Sequence, residues 1–398
     1  MMKTKQLKLL IVIGVVLLLC GCWNYSELND LAITTSLGID KEDDKYLVSV
    51  MIANAKSAQI SAKEGQSQTT VLEGKGKTLS EALENIDLKS PKQIYINHLS
   101  AIVISDQVAK EGINKISDFL LREPESRKKF YLLITKEEKA SDVLKILTPL
   151  ESLPSQSIAS NVQEAKEYQA VTNDMIYSVF INDVIERGIH PVLSSISIEG
   201  KKDEAQKYQH LEQSQPDAVL KLGPLGIFKD DKLIGFATKK ESEGTNIILN
   251  KVDKSIVEIK YNGGYIVSHL ESPNTKLNIS FKNNKPQIDL KIKAGGSIAE
   301  VNCDIDLTDP KEIAKIKTNT EKELKKTIRQ ALNMAQKKYQ TDIFGFGLAF
   351  YHKYPNQFKK LEKHWDHDTF ANMDINVSVE IDIETKGSLE QSIRKEEA

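Results

Sequence analysis

Three internal stretches of this 398-residue sequence set residue types at spacings that chemistry uses. Gly74-Lys75-Gly76-Lys77-Thr78 contains the Gly-Lys-Thr of a phosphate-binding loop and precedes a helical pattern. Such a loop needs a further glycine five residues before the Gly of Gly-Lys-Thr, so that backbone N–H groups ring the phosphate. That position is Val71, and the segment reads instead as a β-turn with its lysines in water. His364-Trp365-Asp366-His367-Asp368 places two histidines three apart, on one face of a helix. Zinc takes three or four protein ligands, and no cysteine or third histidine lies near, so a solvated helix end is expected and no metal. Phe344-Gly345-Phe346-Gly347 could cradle a ligand. Close packing, or a turn where a Cβ would clash, is the reading taken, which makes Gly345 and Gly347 structural. Neither Gly-x-Ser-x-Gly nor His-Glu-x-x-His occurs. No catalytic residue and no cofactor is assigned, and the chain is not expected to be an enzyme.

The N-terminus carries a different chemistry. Lys3, Lys5 and Lys8 precede an apolar run over 9–20, too short for a bilayer core that needs about 20 residues. The run meets Leu19-Cys20-Gly21-Cys22, which has the form of a lipobox. Residues 1–21 then form a lipoprotein signal peptide, and Cys22, carrying diacylglycerol, becomes the first mature residue. Two acyl chains hold a protein on a bilayer where one does not. Signal removal leaves a net charge of −5, from 54 less three basic residues against 56 acidic. With no polybasic segment after Cys22, lipid must supply the attachment. Cys303 reads as a small buried hydrophobe.

The elements around these motifs follow from pattern. With 40% hydrophobic and 28% charged residues, the chain is a folded protein large enough for two or three domains. A net charge of −2 gives no reason to expect nucleic acid. Strands are expected at 31–39, 45–54, 99–104 and 130–135, and helices at 78–88, between 104 and 130, at 139–147 and at 173–187. Thr78 caps the first helix, with Glu81 at its third position. Pro149, Pro154 and the Ser-rich run over 152–160 make a loop. The polar stretch 200–216 marks a boundary, followed by strands at 225–228 and 233–238 about a Lys229-Asp230-Asp231-Lys232 turn. Further turns fall at Gly263-Gly264 and Ser272-Pro273-Asn274. Beyond them lie strands at 276–282 and 287–293, and a helix of about 30 residues capped by Asp309 with Pro310 at its first position. Its apolar stripe is narrow, so its other side faces water. A helical segment follows at 342–354, and a last strand at 373–384. The expected class is mixed α+β, with three domains behind the signal: 22–200 α/β, 201–275 β-rich, and 276–398 with the long helix.

The blocks are also familiar in order. Cys22-Trp23-Asn24-Tyr25-Ser26-Glu27-Leu28-Asn29-Asp30-Leu31-Ala32-Ile33, then Leu37-Gly38-Ile39-Asp40, resembles the opening of the Ger(x)C family, the C-subunit lipoproteins of spore germinant receptors. His98 to Ser105, Ala109 to Ile113, and Leu121-Arg122-Glu123-Pro124-Glu125-Ser126-Arg127 resemble its second block. Pro216 to Val219, Gly226 to Phe228, Leu233 to Phe236 and Lys240 to Gly244 resemble its middle block. Asp342 to Gly347, Tyr354-Pro355 and Trp365 resemble its last. Asn24 stands where Asp is commoner in the family, and Thr238-Lys239 replaces an Asp-containing approach to Glu241.

The resemblance implies a non-catalytic subunit with an α/β-rich three-domain fold, anchored on the outer face of the cell or spore inner membrane. There it would join A-type and B-type subunits in sensing nutrients and triggering germination. Glu27, Arg122, Arg127 and Glu241 lie in these blocks and are of types usually exposed, so they are the candidate partner interface. Two other readings share the anchor: a substrate-binding lipoprotein of a membrane transporter, with a ligand between two lobes, and a lipid-anchored hydrolase, which would need a nucleophile–base pair.

Overall fold

A computed structural model describes residues 30–54, 67–122, 128–151, 153–168 and 170–384. The signal segment, Cys22, Glu27 and Arg127 lie outside the described residues.

The first part of the chain runs β1 (Leu31–Glu42), β2 (Lys45–Ala53), β3 (Thr69–Gly76), α1 (Leu79–Asp87), β4 (Gln93–Tyr95), β5 (Ala101–Ile104), α2 (Asp106–Glu111), α3 (Asn114–Arg122), β6 (Tyr131–Thr135), α4 (Ala140–Lys145), α5 (Pro154–Tyr168), α6 (Tyr177–Ile185) and β7 (Val192–Gly200). It continues through α7 (Lys202–Ala205), β8 (Ala218–Lys229), β9 (Lys232–Phe236), α8 (Lys239–Ile248), β10 (Lys254–Tyr261), β11 (Gly264–Lys282) and β12 (Lys285–Asn302). The last elements are α9 (Pro310–Asn333), α10 (Phe346–Lys353), α11 (Pro355–Leu361) and β13 (Ile375–Glu384).

Two mixed sheets result, and the class is mixed α+β. The larger has the order β3-β2-β1-β5-β6-β7-β8-β9, with β4 beside the start of β1. Its centre, β1-β5-β6-β7, is parallel, and both flanks are antiparallel. Strand β5 is buried on both faces, as central parallel strands are. Ile102 and Ile104 pack with Leu79, Ile116, Leu120 and Phe180 on one side. Ala101 and Val103 pack with Val143, Leu144, Ile158 and Val162 on the other. The second sheet, β10-β11-β12-β13, is antiparallel until its last pair, where β13 runs parallel to β12. Strand β10 alternates exposed and buried strictly, so one face is wet. On the other face Val257, Ile259, Ile288, Leu290, Val377 and Ile381 pack with Ile316, Leu324, Ile328 and Phe350. That cluster also contains Val192, Leu225 and Ile227 of the first sheet, and Cys303 is buried within it.

Several expectations are corrected. Residues 154–160 are not a loop: Pro154 opens α5, and Ser155 and Ser157 lie in its first turn, where short polar side chains are welcome. The turn read at 74–78 is the end of β3 up to Gly76, followed by Lys77 and the cap residue Thr78. Gly74 and Gly76 are there because α1 lies directly on that strand, and a Cβ at either would collide with the backbone of Ala82 or Glu81. Ser272-Pro273-Asn274 is a bulge inside the long strand β11, with Ser272 at φ +47°. The helix expected between 104 and 130 is two, separated at Gly112 (φ +121°). The segment 201–275 contributes to both sheets: β8 and β9 extend the first, while β10 and the start of β11 open the second. Thr78 accepts from Glu81 N at 3.1 Å, while the Glu81 carboxylate turns back to Lys77 N at 2.7 Å.

Candidate functional site

A heavily bonded, largely buried polar cluster lies where the two sheets meet. Three connections converge there: 188–190 between α6 and β7, the β8–β9 hairpin, and the segments flanking α10. The long helix ends locally. After α9 the chain widens into a π-helical turn, Met334–Tyr339, and Gln340 at φ +48° terminates it. Two residues on, Asp342 is fully buried. Its Oδ1 accepts from the N–H groups of Phe344 (3.1 Å) and Phe346 (3.2 Å). Its Oδ2 accepts from Gly347 N (2.7 Å) and Trp365 Nε1 (2.8 Å). The carboxylate thus satisfies the open N–H groups at the start of α10 and pins the indole across from it. Burial pushes Asp342 up to about 6, against the pull of the Trp365 and Gly347 bonds. It is ionised at neutral pH.

Asp366 sits beside it on a second π-helical turn, Trp365–Phe370. Its Oδ1 accepts from Asp342 N at 3.1 Å and its Oδ2 lies 2.9 Å from His190 Nε2. Burial is the largest single influence on the Asp366 carboxyl and raises it, but the His190 bond and charge, the Asp342 N–H and Lys229 together outweigh it, and the net direction is down. His190 Nδ1 accepts from Asp230 N at 2.9 Å, so the imidazole proton is on Nε2 and is donated to Asp366. The backbone N–H of His190 donates to Asp342 O at 2.9 Å. Gln336 Nε2 joins the two π-turns through Phe370 O (2.7 Å) and Met373 O (2.9 Å). Lys229 Nζ lies 3.0 Å from His367 Nε2, whose Nδ1 lies 3.1 Å from Gln340 Oε1. One polar network therefore spans residues 190, 230, 342 and 366. Its acceptors are engaged by backbone and side-chain donors, so the arrangement fixes the relative position of the two sheets.

The residues singled out in the sequence fall around this network unequally. Gly345 has φ +72°, a left-handed conformation. A Cβ on Gly347 would stand 2.7 Å from Trp365 Nε1 and 2.8 Å from Gly188 Cα. His367 lies beside the network, between Lys229 and Gln340, whereas His364 is exposed, 3.4 Å from Asp368. Glu241 closes a capping box on α8: its Oε2 accepts from Thr238 N (2.7 Å) and Thr238 Oγ1 accepts from Glu241 N (3.3 Å). Arg122 is the exposed last residue of α3, its Nε 2.9 Å from Asp118 Oδ2. Arg122 lies on α3 and Glu241 on α8, and no contact among the described residues brings the two together. Sequence reasoning missed Asp342, His190 and Asp366 as a unit. The available signal was a lone carboxylate opening an otherwise apolar Asp-Ile-Phe-Gly-Phe-Gly run.

Comparison with known proteins gives a consistent likeness over nearly the whole length. A family model described as spore germination protein N-terminal domain matches residues 24–198, and one described as spore germination B3/GerAC like, C-terminal, matches 224–387. Spore germination protein KC of Bacillus subtilis (strain 168) is 28% identical, over 97% of both chains. Spore germination protein A3 of the same organism is 25% identical, over 96% of this chain and 99% of its own. The crystal structure of the GerBC protein superposes with a TM-score of 0.54 at 18% identity, covering 87% of this chain and 96% of that one. That likeness concerns the fold.

Proposed function

This chain belongs to the GerAC-like family of spore germination proteins, and from that membership we propose that it is the lipid-anchored, non-catalytic subunit of a nutrient germinant receptor. The observation that carries the reading is the length of the likeness: germination proteins match it from end to end, and the lipobox stands just ahead of the first matched block. The buried network at Asp342 supports a scaffold, because its polar groups hold backbone rather than face a cavity. No helix among the described residues is long and apolar enough to cross a membrane; in this reading the lipobox makes acylated Cys22 the attachment. The subunit then works beside A-type and B-type subunits in the same membrane.

The test is purification from spore membranes. The wild-type chain should bring A-type and B-type subunits with it, and Cys22→Ala should give a folded protein that leaves the membrane fraction once those subunits are removed. A Cys22→Ala chain held as firmly as wild type would sink the anchor, and a wild-type chain that purifies alone would sink the receptor.

Glu27, Arg122, Arg127 and Glu241 remain the proposed partner surface. Membrane tethering raises effective concentration, so modest contacts suffice. Charge reversal suits Glu27, Arg122 and Arg127. Glu241→Gln suits the fourth site, because a glutamine keeps the cap that Glu241 makes. Normal protein level and thermal stability with lost germination is expected at one or more of them. Four variants that all germinate normally would remove this surface.

A further inference from the structure

The long helix α9 and its π-turn hold nine lysines and arginines against three glutamates between residues 311 and 338, on a chain of net charge −2. The excess is ordered. Ile316, Thr320, Leu324, Thr327, Ile328 and Ala331 are the buried side. Lys311, Lys315, Lys322, Lys325 and Arg329 are exposed. At 100° per residue they fall within about 40° of one line, opposite the buried side. From Lys311 to Arg329 the line is about 27 Å long. Glu312 pairs with Lys315 at 2.6 Å, and Glu323 with Lys326 at 3.0 Å. The Glu321 carboxylate accepts from Ile381 N in β13 at 3.0 Å. Lys311, Lys322, Lys325 and Arg329 have no carboxylate partner among the described residues. Like charges three and four apart on a helix repel, so this face gains from an external anion.

We propose that this face of α9 docks on the anionic phospholipid headgroups of the bilayer that carries Cys22. The proposal rests on the lipid-anchored reading and adds an orientation to it. Charge complementarity is the argument, and side-chain composition chooses the partner. Protein interfaces are depleted in lysine and built around buried aromatic or aliphatic anchors. Four of the five cations on this line are lysines, and none of the large exposed apolar side chains among the described residues lies on α9. A headgroup plane asks only for a straight row of cations within a Debye length, about 8 Å at physiological salt.

The test uses the full chain, acylated at Cys22, with a fluorophore on Thr318→Cys, an exposed position on the same line. It is placed in vesicles of phosphatidylcholine alone and of phosphatidylcholine mixed two to one with phosphatidylglycerol, each holding an acceptor-labelled lipid. Energy transfer should be higher in the anionic vesicles. It should fall to the neutral-vesicle value in salt near 1 M, where the Debye length is about 3 Å. The triple change Lys322→Glu, Lys325→Glu, Arg329→Glu should abolish the difference, and the triple Gln variant, which adds no new charge, should do the same without loss of folding. Equal transfer from both vesicles by an anchored chain overturns the proposal and leaves the anchor intact. A chain that stays with neither vesicle overturns the anchor and the proposal with it. Transfer that ignores lipid charge, with A-type and B-type subunits lost from the triple variant on purification, gives this face to an acidic protein instead and overturns the bilayer assignment.

Discussion

Asp342→Ala should destabilise the protein by about 4 kcal/mol, since it leaves four N–H donors buried without an acceptor, at roughly 1–3 kcal/mol each before relaxation. The donors are Phe344 N, Phe346 N, Gly347 N and Trp365 Nε1. Their loss frees the start of α10 and the indole together, whereas the bonds to Asp366 and His190 use the backbone N and O of residue 342, which alanine keeps. Urea unfolding of the two chains is the measurement, with the wild-type midpoint well above that of the variant.

The pH dependence provides a second check. Burial raises the Asp342 carboxyl from 3.8 to about 6 in the folded chain. The stabilisation linked to that rise is fully present below 3.8 and is lost as the pH climbs through about 6. The gap between wild type and Asp342→Ala should therefore widen as the pH is lowered from neutrality toward 4. Asp366, whose carboxyl is held below its ordinary value, contributes in the opposite sense. Its contribution is present above 3.8 and is lost only at lower pH, outside this window. A gap that stays flat or narrows on acidification would contradict the burial of an ionised Asp342.

Gly347→Ala ranks second, at about 2–3 kcal/mol of lost stability, the cost of forcing a methyl into close-packed structure. Its new carbon would face the Gly188 backbone at 2.8 Å and Trp365 Nε1 at 2.7 Å. Backbone cannot step aside, and Leu348 N already donates to Gly188 O at 3.0 Å. Gly345→Ala makes the informative comparison. Its difficulty is φ +72°, and the nearest atom is the flexible end of Ile189 at 3.0 Å, so about 1 kcal/mol is expected. The order, 347 worse than 345, should appear in the same unfolding experiment. Germination lost in both variants with unaltered unfolding would instead move the pair to a contact with another subunit.

Much of the framework was legible because it rests on local rules. The Asp309 cap, with Pro310 behind it, places the start of α9, and strict alternation from Ile375 onward marks β13. The misreadings arise where tertiary contact outweighs local preference. Gly74 and Gly76 resemble a turn until α1 is laid across them. Pro273 looks like a strand end, yet a bulge lets β11 continue past it. The joint between the sheets is the least legible part. His190, Asp230, Asp342 and Asp366 stand up to 176 residues apart, and no periodicity relates them. The basic line on α9 was visible as a polar side. What the fold adds is that most of its cations are left without a carboxylate.

The parallel pairing of β12 with β13 also bears on how the molecule is made. Strands β1 to β9 lie within residues 31–236, so the larger sheet has all its strands before synthesis passes the midpoint of α8. The smaller sheet cannot close early. Ile288 to Ser297 must wait for Ile375 to Glu384, and Ile381 N in turn meets Glu321. Such distant pairing is slow, because the loop must be closed before its contacts repay it. In the interval β12 presents an unpaired edge above a face of Ile288, Leu290 and Ile292, the kind of edge that invites pairing with another chain. The last strand therefore sets the period during which the nascent molecule is most open to aggregation, and shortening that period falls to whatever hastens its arrival.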